Sequence, residues 1–238
     1  MYPMQYKRVL LKISGEALGG SKGKNLDFVK IRKFAKEVVD LQQRGIELAV
    51  VVGGGNIFRG RSIPKGSIDR ATADYMGMVG TIINAVALQA EIEKLGAECR
   101  VLSALSIKEV AEDYIRRSAV AHLGAGKIVL FAAGTGNPFF TTDTTAALRA
   151  MEVEADILLK ATTNVDGVYT SDPRDKKKKA KKLSRITFHA ALSKRLAIMD
   201  STAFSLCRDN NMPIAIFKYQ PGAVLKVLNG EKIGTMVS

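Results

Sequence analysis

Gly134-Thr135-Gly136-Asn137-Pro138-Phe139-Phe140-Thr141-Thr142-Asp143 is a polar, glycine-punctuated stretch set between two apolar ones. Before it, Lys127-Ile128-Val129-Leu130-Phe131-Ala132-Ala133 predicts a buried strand. After it, Thr144-Thr145-Ala146-Ala147-Leu148-Arg149-Ala150 predicts the first turns of a helix. The two glycines let backbone approach a ligand closely, and Pro138 stiffens the loop. Threonines and an aspartate crowd a helix start, where free N–H groups attract anions. Phe139 and Phe140 suit packing against a flat ring or a neighbouring wall. The loop fits a ligand with a phosphate and a base; the same residues fit a plain strand-to-helix turn with Asp143 as N-cap.

Working outward, the same alternation runs through the chain. Buried strands are expected at 6–14, 46–52, 98–103, 127–133, 156–160 and 214–217, from short apolar runs bounded by turn residues. Helices are expected at 28–44 behind an Asp27 cap, 69–95, 108–117, within 184–196, from Asp200 to about Asn210, and at 222–228. Residues 165–169 predict a turn or small hairpin, and 234–237 a final edge segment. Strands that are continuously apolar and separated by helices predict an α/β fold: three layers, αβα, around a mainly parallel sheet. Ligands of such sheets bind beyond the carboxyl ends of the strands. Lys12, residues 53–56, 134–143 and 160–164 all fall there.

At 238 residues, 47% apolar and 25% charged, the composition is that of a globular chain with a real core. Cys99 and Cys207 form no CxxC, which points to a reducing compartment rather than a disulfide framework. His122 and His189 form no zinc motif. The apolar run Val9-Leu10-Leu11 is broken by Lys12 and is too short for a signal peptide, and no stretch is expected to reach transmembrane length. The expected location is the cytoplasm. Of the net charge of +13, residues 174–182 (RDKKKKAKK) supply +6. That run has no interleaved aromatics on which bases would stack, which argues for a solvated loop over a nucleic-acid site.

Known phosphate motifs fail. Residues 19–25 and 124–127 miss the Walker A spacing, and Phe58 breaks a Rossmann pattern at Gly53-Gly54-Gly55. Two strand ends nonetheless carry glycine clusters whose amides would cradle phosphates, with Lys12 at a third. This favours phosphoryl transfer, which asks for positive charge on the moving group and little covalent work. Lys12 and Arg59 are the candidate cations, against readings as a snorkelling edge lysine and a solvated loop residue. Asp143 would orient Lys12 or a metal. Asp200 is open to the same role, or is simply a helix cap. Asp74 is placed to accept sugar hydroxyls, or is a surface carboxylate.

On these and further segments the chain resembles bacterial-type UMP kinases of the amino-acid-kinase superfamily along nearly its whole length. The segments are 12–18, 52–60, 74–78, 134–143, 166–169 with 172–173, 199–200 and 230–235. The resemblance implies one domain over 1–238, with an acceptor-binding part at about 1–155 and an ATP-binding part at about 156–238. It implies transfer of the ATP γ-phosphoryl group to UMP, with Lys12, Arg59, Asp143 and Asp200 as catalytic residues. ATP would meet Lys12, Ile13, Ser14, Gly15, Gly55, Arg59, Thr162, Tyr169 and Asp172, and Thr163 or Asn164 would meet adenine. UMP would meet Gly54, Asp74, Thr135, Gly136, Asn137, Pro138, Phe139, Phe140, Thr141 and Thr142. Mg²⁺ would arrive on ATP with no side-chain ligand. A homohexamer, inhibition by UTP and activation by GTP are further implications, although residues 20–25 differ from the loop common where GTP activates. The competing reading is a nucleotide-binding storage or regulatory protein on the same fold.

Overall fold

The computed structural model describes residues 5–20, 25–60, 64, 66–171, 179–196 and 198–238. The central strands are β1 (Arg8–Ile13), β2 (Glu47–Val52), β3 (Cys99–Ser103), β4 (Glu112–Asp113), β5 (Ile128–Ala132) and β6 (Ile157–Thr162). Short strands β7 (Val168–Tyr169), β8 (Lys182–Leu183) and β9 (Arg185–Ile186) precede β10 (Ile214–Lys218) and β11 (Thr235–Val237). Nine of them form one sheet in the order β4-β3-β5-β2-β1-β6-β10-β11-β9, while β7 and β8 pair antiparallel, so the expected hairpin within 165–169 is instead a pairing of 168–169 with 182–183. Pairing is parallel throughout the large sheet except between β10 and β11.

Helices cover both faces. On one side lie α1 (Phe28–Gln43), α2 (Arg70–Glu93) and α7 (Ala223–Leu228); on the other lie α3 (Arg116–Gly124), α4 (Thr142–Glu152), α5 (Phe188–Ser193) and α6 (Ser201–Asp209). Strand β1 shows how one run serves both layers. Val9, Leu11 and Ile13 point to the first core and Leu10 to the second, all fully buried. Burial on both faces is why these strands read as continuous apolar runs rather than alternating ones.

Local signals place the helix starts. Asp27 caps α1 by accepting from Val29 N at 3.0 Å, Asp69 caps α2 through Thr72 N at 3.0 Å, and Asp200 caps α6 through Ala203 N at 2.9 Å. Three further expectations need correction. Residues 108–117 are not a helix. One turn at 108–110 ends, the open edge of β3 captures Glu112–Asp113 as β4, and α3 begins only at Arg116. Unpaired backbone at a sheet edge outweighed weak helical spacing. The last segment is not an edge, because β11 lies between β10 and β9. Finally, α2, with 24 residues, is long and apolar enough to cross a membrane by length and composition, contrary to the expectation that no stretch would be. Here it is a core helix, burying Met78, Ile82, Ala85, Leu88 and Ile92.

Glycine matters most where backbones cross at the sheet's carboxyl edge. A Cβ on Gly15 would stand 2.2 Å from Gly53 O, and one on Gly54 would stand 2.6 Å from Gly77 O. Both contacts are with backbone, so neither can relax by a side-chain rotation. Together they hold the ends of β1 and β2 and the flank of α2 at a separation that no larger residue permits.

Leu11 is fully buried in the central strand. Leu11→Ala should lower the unfolding free energy by about 2–5 kcal/mol, read as a shifted urea midpoint at unchanged slope. A loss under about 0.5 kcal/mol would contradict this packing.

Candidate active site

The site grows from the register between β1 and β6. Lys12 and Lys160 are direct neighbours across that parallel pair, so both side chains leave the same face of the sheet. That face is covered by α4, whose first turn carries Asp143. Lys12 Nζ lies 2.8 Å from Asp143 Oδ1, and Lys160 Nζ donates to Oδ2 at 2.5 Å and to Ile198 O at 2.8 Å. The three side chains are 13–15% exposed, which makes this a nearly buried cluster with one surplus positive charge.

Burial alone would raise the Asp143 carboxyl, but the ammonium groups of Lys12 and Lys160 outweigh it and hold the pKa below the ordinary aspartate value. Burial pushes the Lys160 ammonium down, against the pull of Asp143. Lys12 approaches Oδ1 off the hydrogen-bonding direction. That buried oxygen therefore has an ion-pair neighbour but no aligned donor among the described residues.

Asp143 is not the N-cap of α4. Thr141 is, accepting from Asp143 N at 3.1 Å and Thr144 N at 3.2 Å. This frees the Asp143 carboxylate for the lysines. Asp200 does two things at once. It caps α6, and it accepts from Thr141 Oγ1 at 2.5 Å and Thr144 Oγ1 at 3.0 Å, tying the start of α4 to the start of α6. It therefore supports the cluster without touching Lys12.

Beside Thr141 and Thr142 opens a cavity of about 290 Å³, lined also by Gly54, Asp74, Thr135, Asn137 and Phe140. Asp74 Oδ2 accepts from Phe139 N at 2.7 Å, and Arg70 both approaches Asp74 at 3.1 Å and sits over the Phe139 ring at 5.5 Å. Gly136, Pro138 and Phe139 shape the loop without lining the cavity; Phe139, 64% exposed at φ 74°, forms its outer turn.

The expected nucleotide residues are more dispersed. Ile13 ends β1, and Ser14 precedes the single 3₁₀ turn Gly15–Ala17. Arg59 donates to Gly55 O at 2.9 Å and pairs with Glu16; no contact joins it to the lysine–aspartate cluster among the described residues. Thr162 ends β6 and bonds Val165 O, and Tyr169 donates to Asp166 at 2.6 Å. Asn164 lines a second cavity, of about 380 Å³, with Asp166, Lys218, Gln220 and Lys226. Asp172, Pro173 and residues 174–178 of the lysine run lie outside the described residues.

Sequence reasoning missed Lys160 as a partner of Asp143. A signal was present: Leu158-Leu159-Lys160 repeats the Leu10-Leu11-Lys12 pattern, with a charge closing an apolar strand in both. Among the described residues no three His, Cys, Asp or Glu side chains gather as a metal site. Asp143 faces two ammonium groups and both Asp200 oxygens are taken, so this donor set suits a cation carried in on phosphates.

A depressed carboxyl pKa contributes stability that is present above the ordinary value of 3.8 and is lost as pH falls through the lower folded-state value. Asp143→Asn should therefore melt below wild type at neutral pH. The gap should close as pH is taken below 3.8, where protonated aspartate resembles asparagine. Melting curves that keep a constant gap over that range would contradict the ion-pair account.

Comparison with known proteins agrees with this architecture. The family model for "Amino acid kinase family" matches residues 7–218. A curated uridylate kinase from Xanthomonas oryzae pv. oryzae is 51% identical over all of this chain and 98% of its own length. The crystal structure of UMP kinase from Bacillus anthracis superposes with a TM-score of 0.93 at 40% identity, covering 98% of this chain and 96% of that one. UMP kinase from Ureaplasma parvum gives 0.93 at 37% identity, covering 99% and 100%. Uridylate kinase from Archaeoglobus fulgidus gives 0.75 at 28%, covering 97% and 99%. The chain belongs to the amino acid kinase family, among its uridylate kinases.

Proposed function

We propose that this chain transfers the γ-phosphoryl group of ATP to UMP, giving UDP and ADP. The observation that carries the reading is the buried Lys12–Asp143–Lys160 cluster at the carboxyl edge of the sheet. One cavity reaches Thr142, next to Asp143, and the other begins at Asn164, just past the strand that carries Lys160. The first suits the acceptor and the second the nucleotide donor. That divides the single domain into an acceptor part over 1–155 and an ATP part over 156–238. Nothing favours a storage or regulatory protein, because a merely bound nucleotide gives no reason to bury two lysines around one carboxylate.

Phosphoryl transfer places negative charge on oxygens that move between two nucleotides. Lys12 and Lys160 supply fixed positive charge in a site where water screens weakly, and Asp143 holds the two ammonium groups apart and aimed. Asp200 keeps the start of α4 in place through Thr141 and Thr144. Thr141 and Thr142, at the start of α4, line the acceptor cavity, and the positive end of the helix dipole there favours the UMP phosphate. Asp74 and the 135–142 loop hold ribose and base, and Arg59, anchored on Gly55 O beside the acceptor cavity, supplies a further positive charge at the cavity's edge. A divalent cation, Mg²⁺ in this reading, rides on the ATP phosphates and neutralises part of their charge.

The same reading includes a homohexamer, inhibition by UTP, activation by GTP and a cytoplasmic location. Self-association is supported by Tyr75, Met76, Val79 and Ile83, which are 42–45% exposed along one side of α2. A reducing compartment is supported by Cys99 and Cys207, both free and buried, with thiols pushed up to about 12 by burial.

In a coupled assay, UMP should be phosphorylated at least about tenfold more efficiently than CMP; equal turnover would overturn the base assignment. Lys12→Met and Lys160→Met should each lower kcat by about a hundredfold, with KM changed less, as expected for charges that act on the transition state. Steady-state kinetics on variants that melt near wild type would decide this. A stable variant with normal kcat would remove that lysine from the mechanism.

A further inference from the structure

Behind the acceptor loop, away from the lysine–aspartate cluster, an arginine is buried for no purpose so far described. Arg149, on α4, is 4% exposed. Its guanidinium lies 3.6 Å from the centroid of the Tyr114 ring, which itself meets Phe131 edge-on at 5.6 Å. Arg149 Nη1 donates to Glu152 Oε2 at 2.6 Å, and Tyr114 OH donates to the same oxygen at 2.5 Å. With its plane stacked and one edge paired, Arg149 turns its other nitrogen, Nη2, to Gly134 O at 3.3 Å.

Gly134 is where the acceptor loop leaves β5, and the backbone there is unusual. Ala133 has φ 59° and Gly134 φ 60°, so an alanine stands in the left-handed region beside a glycine that tolerates it. Such a conformation persists only when the surroundings over-determine it. Two contacts do so here. Thr81 Oγ1 accepts from Ala133 N at 2.8 Å on the α2 side, and Arg149 grips Gly134 O on the α4 side. The direction in which residues 135–140 enter the cavity follows from this twist.

We propose that Arg149, clamped by Tyr114 and Glu152, is a positioning residue that sets the acceptor loop and thereby acceptor affinity, without touching the acceptor. The proposal rests on the reading that the cavity beside this loop takes UMP. A planar, five-donor group suits the task, since it can stack, pair and reach a carbonyl at once. Lysine has the charge but neither the plane nor the second donor edge.

The test is Arg149→Lys, which keeps a cation against Glu152, with UMP and ATP varied separately in steady-state kinetics. Loss of one aligned contact to the loop should raise KM for UMP about tenfold while leaving KM for ATP within about twofold. A merely structural role would move both together or move only the melting temperature. If Arg149→Lys does not fold, Tyr114→Leu removes the stacking face and the Tyr114 hydroxyl bond to Glu152 while leaving the groups that Arg149 bonds, Glu152 and Gly134 O, in place, and the same selective rise in UMP KM is expected. A folded variant of either kind with wild-type KM for UMP would overturn the proposal while wild-type UMP turnover still stands. Wild-type protein that does not phosphorylate UMP at all would overturn both readings.

Discussion

The structure depends on putting two ammonium groups and one carboxylate together out of water. Each charge alone would be costly to bury, and their mutual attraction offsets this only when the geometry is held. Most of what holds it is remote in sequence. Strands β1 and β6 must be neighbours in register, so that Lys12 and Lys160 emerge side by side. Helix α4 must begin over them with Thr141, not Asp143, as its cap. Asp200 must cross from α6 to take the Thr141 and Thr144 hydroxyls. A surplus positive charge results at the carboxyl edge of the sheet.

Around that centre the fold uses two devices for precision. One is close backbone crossing, at Gly15 against Gly53 and Gly54 against Gly77, which sets the strand ends to within the size of a missing methyl group. The other is side-chain capture of loop backbone. Asp74 takes the Phe139 N–H from outside the acceptor loop, while Thr81 and Arg149 take groups at its root. A loop of ten residues with two phenylalanines half in solvent is thus attached at both ends to rigid helices, the arrangement by which loops carry function without losing geometry.

Much of this was legible in the chain itself. Continuous apolar runs separated by helices gave the parallel three-layer architecture, because a strand buried on both faces has no polar side to show. Caps at Asp27 and Asp200 followed from short side chains that accept from the next turn. Lys12 stood out as a charge at the end of an apolar strand, and the 134–143 loop as a glycine-rich turn between a strand and a helix. Misreadings fell where long-range pairing decided. Glu112–Asp113 became strand because β3 had an open edge, and β11 became interior because β9 added beyond it.

The sequence by itself therefore determined the layers, the strand ends where polar residues gather and the 134–143 loop between β5 and α4, since periodicity and turn residues act locally. Only the tertiary structure decided which charges meet. The pairing of Lys160 with Lys12 comes from strand order, which no spacing along the chain encodes. The double duty of Asp200 and the stacking of Tyr114 on Arg149 come from elements that touch across dozens of residues, where distance in space and not in sequence sets the electrostatics.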